Sequence, residues 1–255
     1  RELSVKRRTM DAAKGEERKK SEETLIREDR SKMEIRSLEC QRGVLHQNDG
    51  SVRYSQGNSC VIVAIQGPMK VSRREEKIDE ATVEILFKPI SGAQNAEHRN
   101  YEAMLEGCFS TMILSQFHPC TKIGIVVQVV EDDGSILAVA INGICCALID
   151  AGIQCSSLIN AICVAIDNDN MLLDPTAKEL QSAKSTITLA FSSKSSGIIL
   201  SQTTGLLSDK SYNDALNVSR TVVHKKVQTF VRRFFDGVFL RSAAPKKTKG
   251  NKKNG

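Results

Sequence analysis

The stretch Val126–Ile153 reads V-V-Q-V-V-E-D-D-G-S-I-L-A-V-A-I-N-G-I-C-C-A-L-I-D-A-G-I. Its opening is dominated by valine, whose branched Cβ fits the pleat of a sheet, so it predicts a strand. Asp132-Asp133-Gly134 follows as a tight turn, with acidic side chains that bond their own backbone and a glycine free to take positive φ. From Ser135 to about Ala151 the apolar residues predict an amphipathic helix. Ala138, Ala140, Gly143 and Ala147 are small, as close packing onto a sheet requires, and Gly152 is placed to cap the helix in the left-handed conformation. A strand feeding a long apolar helix through so short a turn places the chain among proteins that layer helices on sheets.

Moving toward the N-terminus, Lys122–Val130 is the full extent of that strand. Before it lies a helix in which Met104-Leu105, Cys108-Phe109, Met112-Ile113 and Gln116-Phe117 recur at spacings of three and four, stopping short of Pro119. Ala81–Lys88 alternates apolar and polar residues and predicts a strand. Val52–Ser55 and Cys60–Ile65, joined across Gly57-Asn58 and closed by Gly67-Pro68, predict a hairpin. Toward the C-terminus, Ile159–Ile166 and Met171–Leu173 predict strands about an Asp167–Asn170 turn. Asp174-Pro175-Thr176 then predicts a short helical turn capped by Asp174. Thr186–Phe191 and Gly197–Gln202 complete the strands. One long helix is expected from about Asp209 to Leu240, with Leu216, Val223, Val227, Phe230, Phe234 and Val238 as its apolar stripe and Arg220, Lys225, Lys226, Arg232 and Arg233 on a basic, solvated face. The order ββ-β-α-β-α, then ββ-ββ-α, is α+β in two layers, with a mixed sheet and long helices.

The 255 residues, 40% of them hydrophobic, suffice for a sizeable core. No apolar run approaches the roughly 20 residues of a membrane span, and the opening R-E-L-S-V-K-R-R lacks the apolar centre of a signal peptide. The chain begins at Arg1, as a fragment or processed form would. Residues 1–36 alternate basic and acidic side chains and are expected to be disordered or a solvated helix. Residues 37–241 are expected to form the folded domain and 242–255 a disordered basic tail. The eight cysteines include no C-x-x-C pair, so reduced, buried thiols in a cytosolic or nuclear protein are expected rather than zinc or a disulfide framework. The net charge of +6 suits contact with a polyanion.

Three segments together carry a family resemblance: N-D-G-S-V-R-Y-S-Q-G-N-S-C-V-I-V-A-I-Q-G-P at 48–68, the stretch from Gln128 to Ile153, and L-L-D-P-T-A-K-E-L at 172–180. In this order they resemble the ribonuclease PH family of phosphate-dependent 3′→5′ exoribonucleases, and within it a ring subunit of the eukaryotic RNA exosome. The resemblance covers about residues 38–240. It implies the ribonuclease PH-like fold, of the ribosomal protein S5 domain 2-like type. Active members carry an arginine in a Gly-Ser/Thr-Arg turn that grips phosphate, a second arginine before the first long helix, and two aspartates. The matching positions here are Ile136, a site near Ala96 with Arg99 as a substitute, and Leu180 and Thr186. An aliphatic side chain cannot hold phosphate in the forked grip of a guanidinium. The resemblance therefore implies a subunit without phosphorolytic activity, needing no cofactor and no metal.

The implied partners are other ribonuclease PH-like subunits in a hetero-hexameric ring, S1/KH cap subunits, a hydrolytic nuclease and RNA, with no membrane. Nuclear, nucleolar and cytoplasmic residence all fit. Arg99, Lys122, Arg232 and Arg233 are the candidate RNA contacts. Gly50, Gly57, Gly67, Asp133, Gly134, Ser135 and Asp174 are read as turn-forming. The competing reading is a free homodimer with weak metal- or phosphate-dependent nuclease activity through Asp133, Asp174 or Glu179. A sequence-specific RNA-binding module is weaker still, because no RRM or KH signature is present.

Overall fold

The computed structural model describes residues 30–71, 77–167, 170–195 and 197–242. The charged segment expected to be disordered lies outside the described residues up to position 29, as does the basic tail from 243.

Among the described residues nine strands form two sheets. In the first, β1 (Leu38–Arg42), β2 (Gly50–Gln56), β3 (Ser59–Lys70), β5 (Thr121–Glu131) and β4 (Thr82–Lys88) lie side by side in that order. All neighbours are antiparallel except β4 and β5, which makes the sheet mixed. The second sheet orders β7 (Asn170–Leu173), β6 (Ile159–Asp167), β8 (Ser185–Ser192) and β9 (Ile198–Gly205), all antiparallel. Helix α1 (Ala96–Met112) packs against β4. Helix α2 (Ile136–Ala151) packs against β2 and β3 on one side and β6 and β8 on the other.

That position corrects the expected amphipathic helix. Every residue of α2 from Leu137 to Leu148 is buried, because a sheet covers each of its faces. Its sequence is legible once this is seen. A Cβ on Gly143 would stand 3.1 Å from Val61 and 3.2 Å from Val63, so glycine lets the helix backbone approach the first sheet. On the opposite side, Asn142 reaches the second sheet: its Nδ2 donates to Ala161 O at 3.0 Å and its Oδ1 accepts from Ala161 N at 2.8 Å. Strand β7 pairs only with Val164–Asp167, so it stops short of Ala161, and the side-chain amide completes that edge of β6. Strand β6 is buried along its whole length.

Most expected elements appear within a residue or two. Strand β1 was not read from the sequence, and the helix expected to run on through Gln116-Phe117 ends at Met112, because Ile113 turns extended and Ser115–Phe117 forms a separate 3-10 turn. The helix expected over 209–240 is instead α4 (Asp209–Val222), a π-helical turn at Val223–Val227, and α5 (Gln228–Ser242). Val223, Val227 and Val231 are the buried positions at this junction. Arg220 leaves the expected solvated face: its guanidinium lies 6.0 Å from the centre of the fully buried Phe191 ring.

The fold starts before residue 37. Ile35 is buried, Leu173 N donates to Lys32 O at 3.0 Å, and Lys32 Nζ donates to Asn170 Oδ1 at 2.8 Å. Residues 30–36 are thus laid along β7, which gives them the partners that their composition alone does not supply.

Replacing Asn142 by leucine should test the second-sheet contact. It leaves the buried Ala161 N–H and C=O without partners, at a cost of about 1–3 kcal/mol for each buried group. Urea denaturation should report the loss.

Candidate functional site

A cleft of about 180 Å³ opens where the signature turn meets the second sheet. Tyr101 enters from α1, Asp132 and Gly134 to Leu137 from the turn and the start of α2, and Cys163 from β6. Leu180 comes from the short helix α3 (Ala177–Ser182), Thr186 and Thr188 from β8, and Gln202 and Thr204 from β9. Ile136 is brought together with Leu180 and Thr186, more than forty residues on, in this one cleft. Among the described residues lining it there is no lysine, arginine or histidine, and the one carboxylate is Asp132. Burial, reinforced by Glu97 and Asp132, raises the Tyr101 phenol above its ordinary value. Burial likewise raises the Cys163 thiol, so it faces the cleft in its neutral form.

A polar clamp behind the cleft holds the turn. Arg36 Nη2 donates to Asp174 Oδ1 at 2.7 Å, and Arg36 Nε and backbone N donate to Asp174 Oδ2 at 3.0 and 2.9 Å. The same guanidinium donates to the carbonyls of Asp133 at 3.0 Å and Gly134 at 3.3 Å. Ser59 Oγ donates to Gly134 O at 2.8 Å and accepts from Asp133 N at 3.0 Å. Asp174 is fully buried, and the Arg36 side chain is only 7% exposed. Asp174 also continues the edge of β6, its N–H donating to Cys163 O at 2.8 Å. Arg30 adds a bond from Nη2 to Asp174 O at 2.7 Å.

These contacts decide the acidic residues. Asp174 has φ 52° and does not cap α3. Thr176 does, accepting from Glu179 N, while Glu179 Oε2 accepts from Thr176 N at 2.8 Å. Asp133 accepts from Ala177 N at 3.3 Å and Asn58 Nδ2 at 3.2 Å, and Asp132 Oδ1 accepts from Gly134 N at 2.9 Å. Asp133, Asp174 and Glu179 are therefore bound up in backbone geometry.

The turn-forming residues divide in two. Gly57, Gly67 and Gly134 have φ of 60°, 124° and 87°, and Ser135 has φ 60° with its Oγ donating to Pro175 O at 3.1 Å. Gly50 is different: it lies in β2, and a Cβ there would meet Ala151 at 2.6 Å, so it serves helix approach rather than a turn. Gly57 has a second role that sequence could not show, since a Cβ there would strike the Arg36 side chain at 2.3 Å.

The four candidate RNA contacts do not converge on the cleft. Arg99 lies two residues from Tyr101, about 200° around the helix, and it lines a separate groove with Lys122 beside β4. Lys122 forms an ion pair with Glu84 there. Arg232 and Arg233 are exposed on α5. Arg36 and Ser59 were missed as site-building residues. Arg36 falls inside a charged run that looks solvated, and nothing local marks Ser59. Among the described residues no cluster of three or more histidine, cysteine, aspartate or glutamate side chains is arranged to hold a metal.

Two outcomes follow. Gly134→Ala should destabilise the protein by at least about 1–3 kcal/mol, because a Cβ would stand 2.8 Å from Leu180 Cδ1 and 2.9 Å from Ala177 N at a residue with positive φ. Denaturant titration measures this. Cys163 should resist alkylation by iodoacetamide at neutral pH in the folded protein and react once it is unfolded, as mapped by peptide mass spectrometry.

Comparison with known proteins places this geometry. Residues 34–154 match the model of the 3′ exoribonuclease family, domain 1, and residues 157–222 match domain 2. The boundary falls between α2 and β6, although one apolar core runs through both parts. The exosome complex exonuclease RRP46 homolog of Oryza sativa is 33% identical over 200 residues, 72% of this chain and 84% of that protein. The Arabidopsis thaliana homolog of the same name is 37% identical over 155 residues, 60% of this chain and 65% of its own length. The crystal structure of rice Rrp46 superposes with a TM-score of 0.78 at 31% identity, covering 82% of this chain and 98% of that one. An archaeal exosome core subunit shares the fold, with a TM-score of 0.68 at 16% identity over 80% of this chain and 89% of its own. With both domain models matched across most of its length, and 33% identity over an alignment that covers 84% of the rice relative, the chain belongs to the 3′ exoribonuclease family of ribonuclease PH-like proteins.

Proposed function

We propose that the chain is a non-catalytic subunit of an RNA exosome ring, supporting 3′→5′ RNA processing and decay through ring assembly and the threading of RNA. The observation that carries this reading is the lining of the cleft. A phosphorolytic site must hold an anionic nucleophile beside an anionic backbone, and most of its rate enhancement comes from cations and donors aimed at that charge. The described lining offers Ile136, Leu180 and Thr186 at three of the four family positions, no cation, and one acid. The relatives named as RRP46 exosome components supply the assembly context.

In this reading the partners are related ring subunits, S1/KH caps, a hydrolytic nuclease and RNA, with residence in nucleus, nucleolus and cytoplasm. Arg232 and Arg233 are the better RNA-facing candidates, since Arg99 and Lys122 share their groove with Glu84, Glu102 and Glu106. The rival, an independent homodimeric nuclease, would have to work through Asp132 alone, because Asp133, Asp174 and Glu179 are committed to the clamp and to the cap of α3.

Affinity purification of the tagged chain at low salt, paired with an assay for nucleoside diphosphate release from an RNA oligonucleotide in phosphate, tests both readings. Recovery of related ring chains with a hydrolytic nuclease, and no phosphate-dependent release by the isolated chain, is the expected result. Recovery of the chain alone as a dimer, with release that Asp132→Asn abolishes, would overturn it.

A further inference from the structure

Strand β4 is an edge of the first sheet, and its free side is open in the middle but closed at both ends. At one end Ala81 N donates to Ser115 O at 3.0 Å. At the other, Phe87 N donates to Glu102 Oε1 at 2.7 Å, and Gln94 Nε2 donates to Phe87 O, also at 2.7 Å. Backbone groups of a strand alternate in direction, so Val83 and Ile85, like Ala81 and Phe87, aim their N–H and C=O away from β5. The N–H and C=O of Val83 and of Ile85 have no partner on that side among the described residues. Thr82 Oγ1, buried alongside, also lacks a hydrogen-bond partner.

Two grooves flank this open stretch, of about 540 Å³ and about 420 Å³. They meet at Ala103 and Glu106 of α1, which line both. The helix is cut back opposite the strand: Ala103 is small, and a Cβ added to Gly107 would meet nothing within 4 Å. The charges in the grooves are not balanced. Lys77 is paired with Glu80 at 2.8 Å and Lys122 with Glu84, while Glu106 and, two helical turns away, Arg99 are exposed with no ion pair among the described residues; the four carboxylates Glu80, Glu84, Glu102 and Glu106 thus face three cations, Lys77, Arg99 and Lys122. Leu86, 38% exposed, offers an apolar contact on the outer face.

We infer that the β4–α1 groove is a docking site for an extended peptide segment of a partner protein, added as a strand along Val83–Ile85, with a lysine or arginine directed at Glu106. The open backbone valences call for a strand rather than a helix, because only an extended chain presents donors and acceptors at that spacing. Two caps set one bay apart limit the occupant to a short segment. The unpaired carboxylate at the junction selects a cationic one. This goes beyond the ring reading and does not depend on it, since it requires only the edge and the groove.

The test uses the full chain and two probe hexapeptides, acetyl-Lys-Val-Lys-Val-Lys-Val-amide and its glutamate counterpart. Hydrogen–deuterium exchange of the segment 82–87 is followed during titration. The lysine peptide should slow exchange there and the glutamate peptide should not. Glu106→Lys, a change at an exposed position whose folding is checked by circular dichroism, should weaken the lysine peptide by about tenfold. Absence of protection at 82–87 up to millimolar peptide, equal protection by the glutamate peptide, or indifference to Glu106→Lys would each overturn the proposal.

Discussion

The buried pair of Arg36 and Asp174 ties together parts of the chain that have no other reason to meet. One guanidinium joins the N-terminal segment, the hairpin serine, the signature turn and the end of β7. A buried ion pair is stabilising only when its remaining valences are met. Here the arginine also donates to two carbonyls and a hydroxyl, and the aspartate accepts from a backbone N–H as well. That arrangement explains local features that look strained in isolation. Asp174 tolerates φ 52° because its carboxylate is held, and Gly57 is glycine because the arginine stem passes over it.

The clamp also separates two tasks that meet at one place in this fold. The turn shape is fixed from behind by Arg36, Ser59 and Asp174, whereas the cleft in front is lined by Ile136, Leu180 and Thr186. Because the fixing groups point away from the cleft, the lining can lose its charge without the turn losing its form. Preservation of the fold beside a cleft lined without lysine, arginine or histidine is then physically coherent: the constraint that shapes the turn does not run through Ile136, Leu180 or Thr186.

Much of the fold was legible because its periodicities are strong. The alternation of Ile123, Ile125, Val127 and Val129, and the small residues of α2, dictate a strand and a closely packed helix. Of the positions read from the family resemblance, Ile136, Leu180 and Thr186 line one cleft, whereas Arg99 lies in another groove. What escaped was long-range. Arg36 sits among charged residues whose local composition says solvent; only the fold shows that it is buried against Asp174, 138 residues on. Leu38–Arg42 is half polar and became β1 only because β2 offered an edge. The burial of α2 on every side needed two sheets, which no window of sequence reports. The π turn at Val223–Val227 and the inward Arg220 likewise depend on what lies beneath the helix.

The most direct test of the clamp is a double-mutant cycle in which the stabilities of Arg36→Met, Asp174→Asn and the double variant are measured by denaturant titration. If the pair organises the turn, each single change costs about 3–5 kcal/mol, because it strands a buried partner. The double variant should then lose less than the sum by roughly 1–3 kcal/mol. Additive losses, or single losses no larger than those of a surface ion pair, would contradict the account.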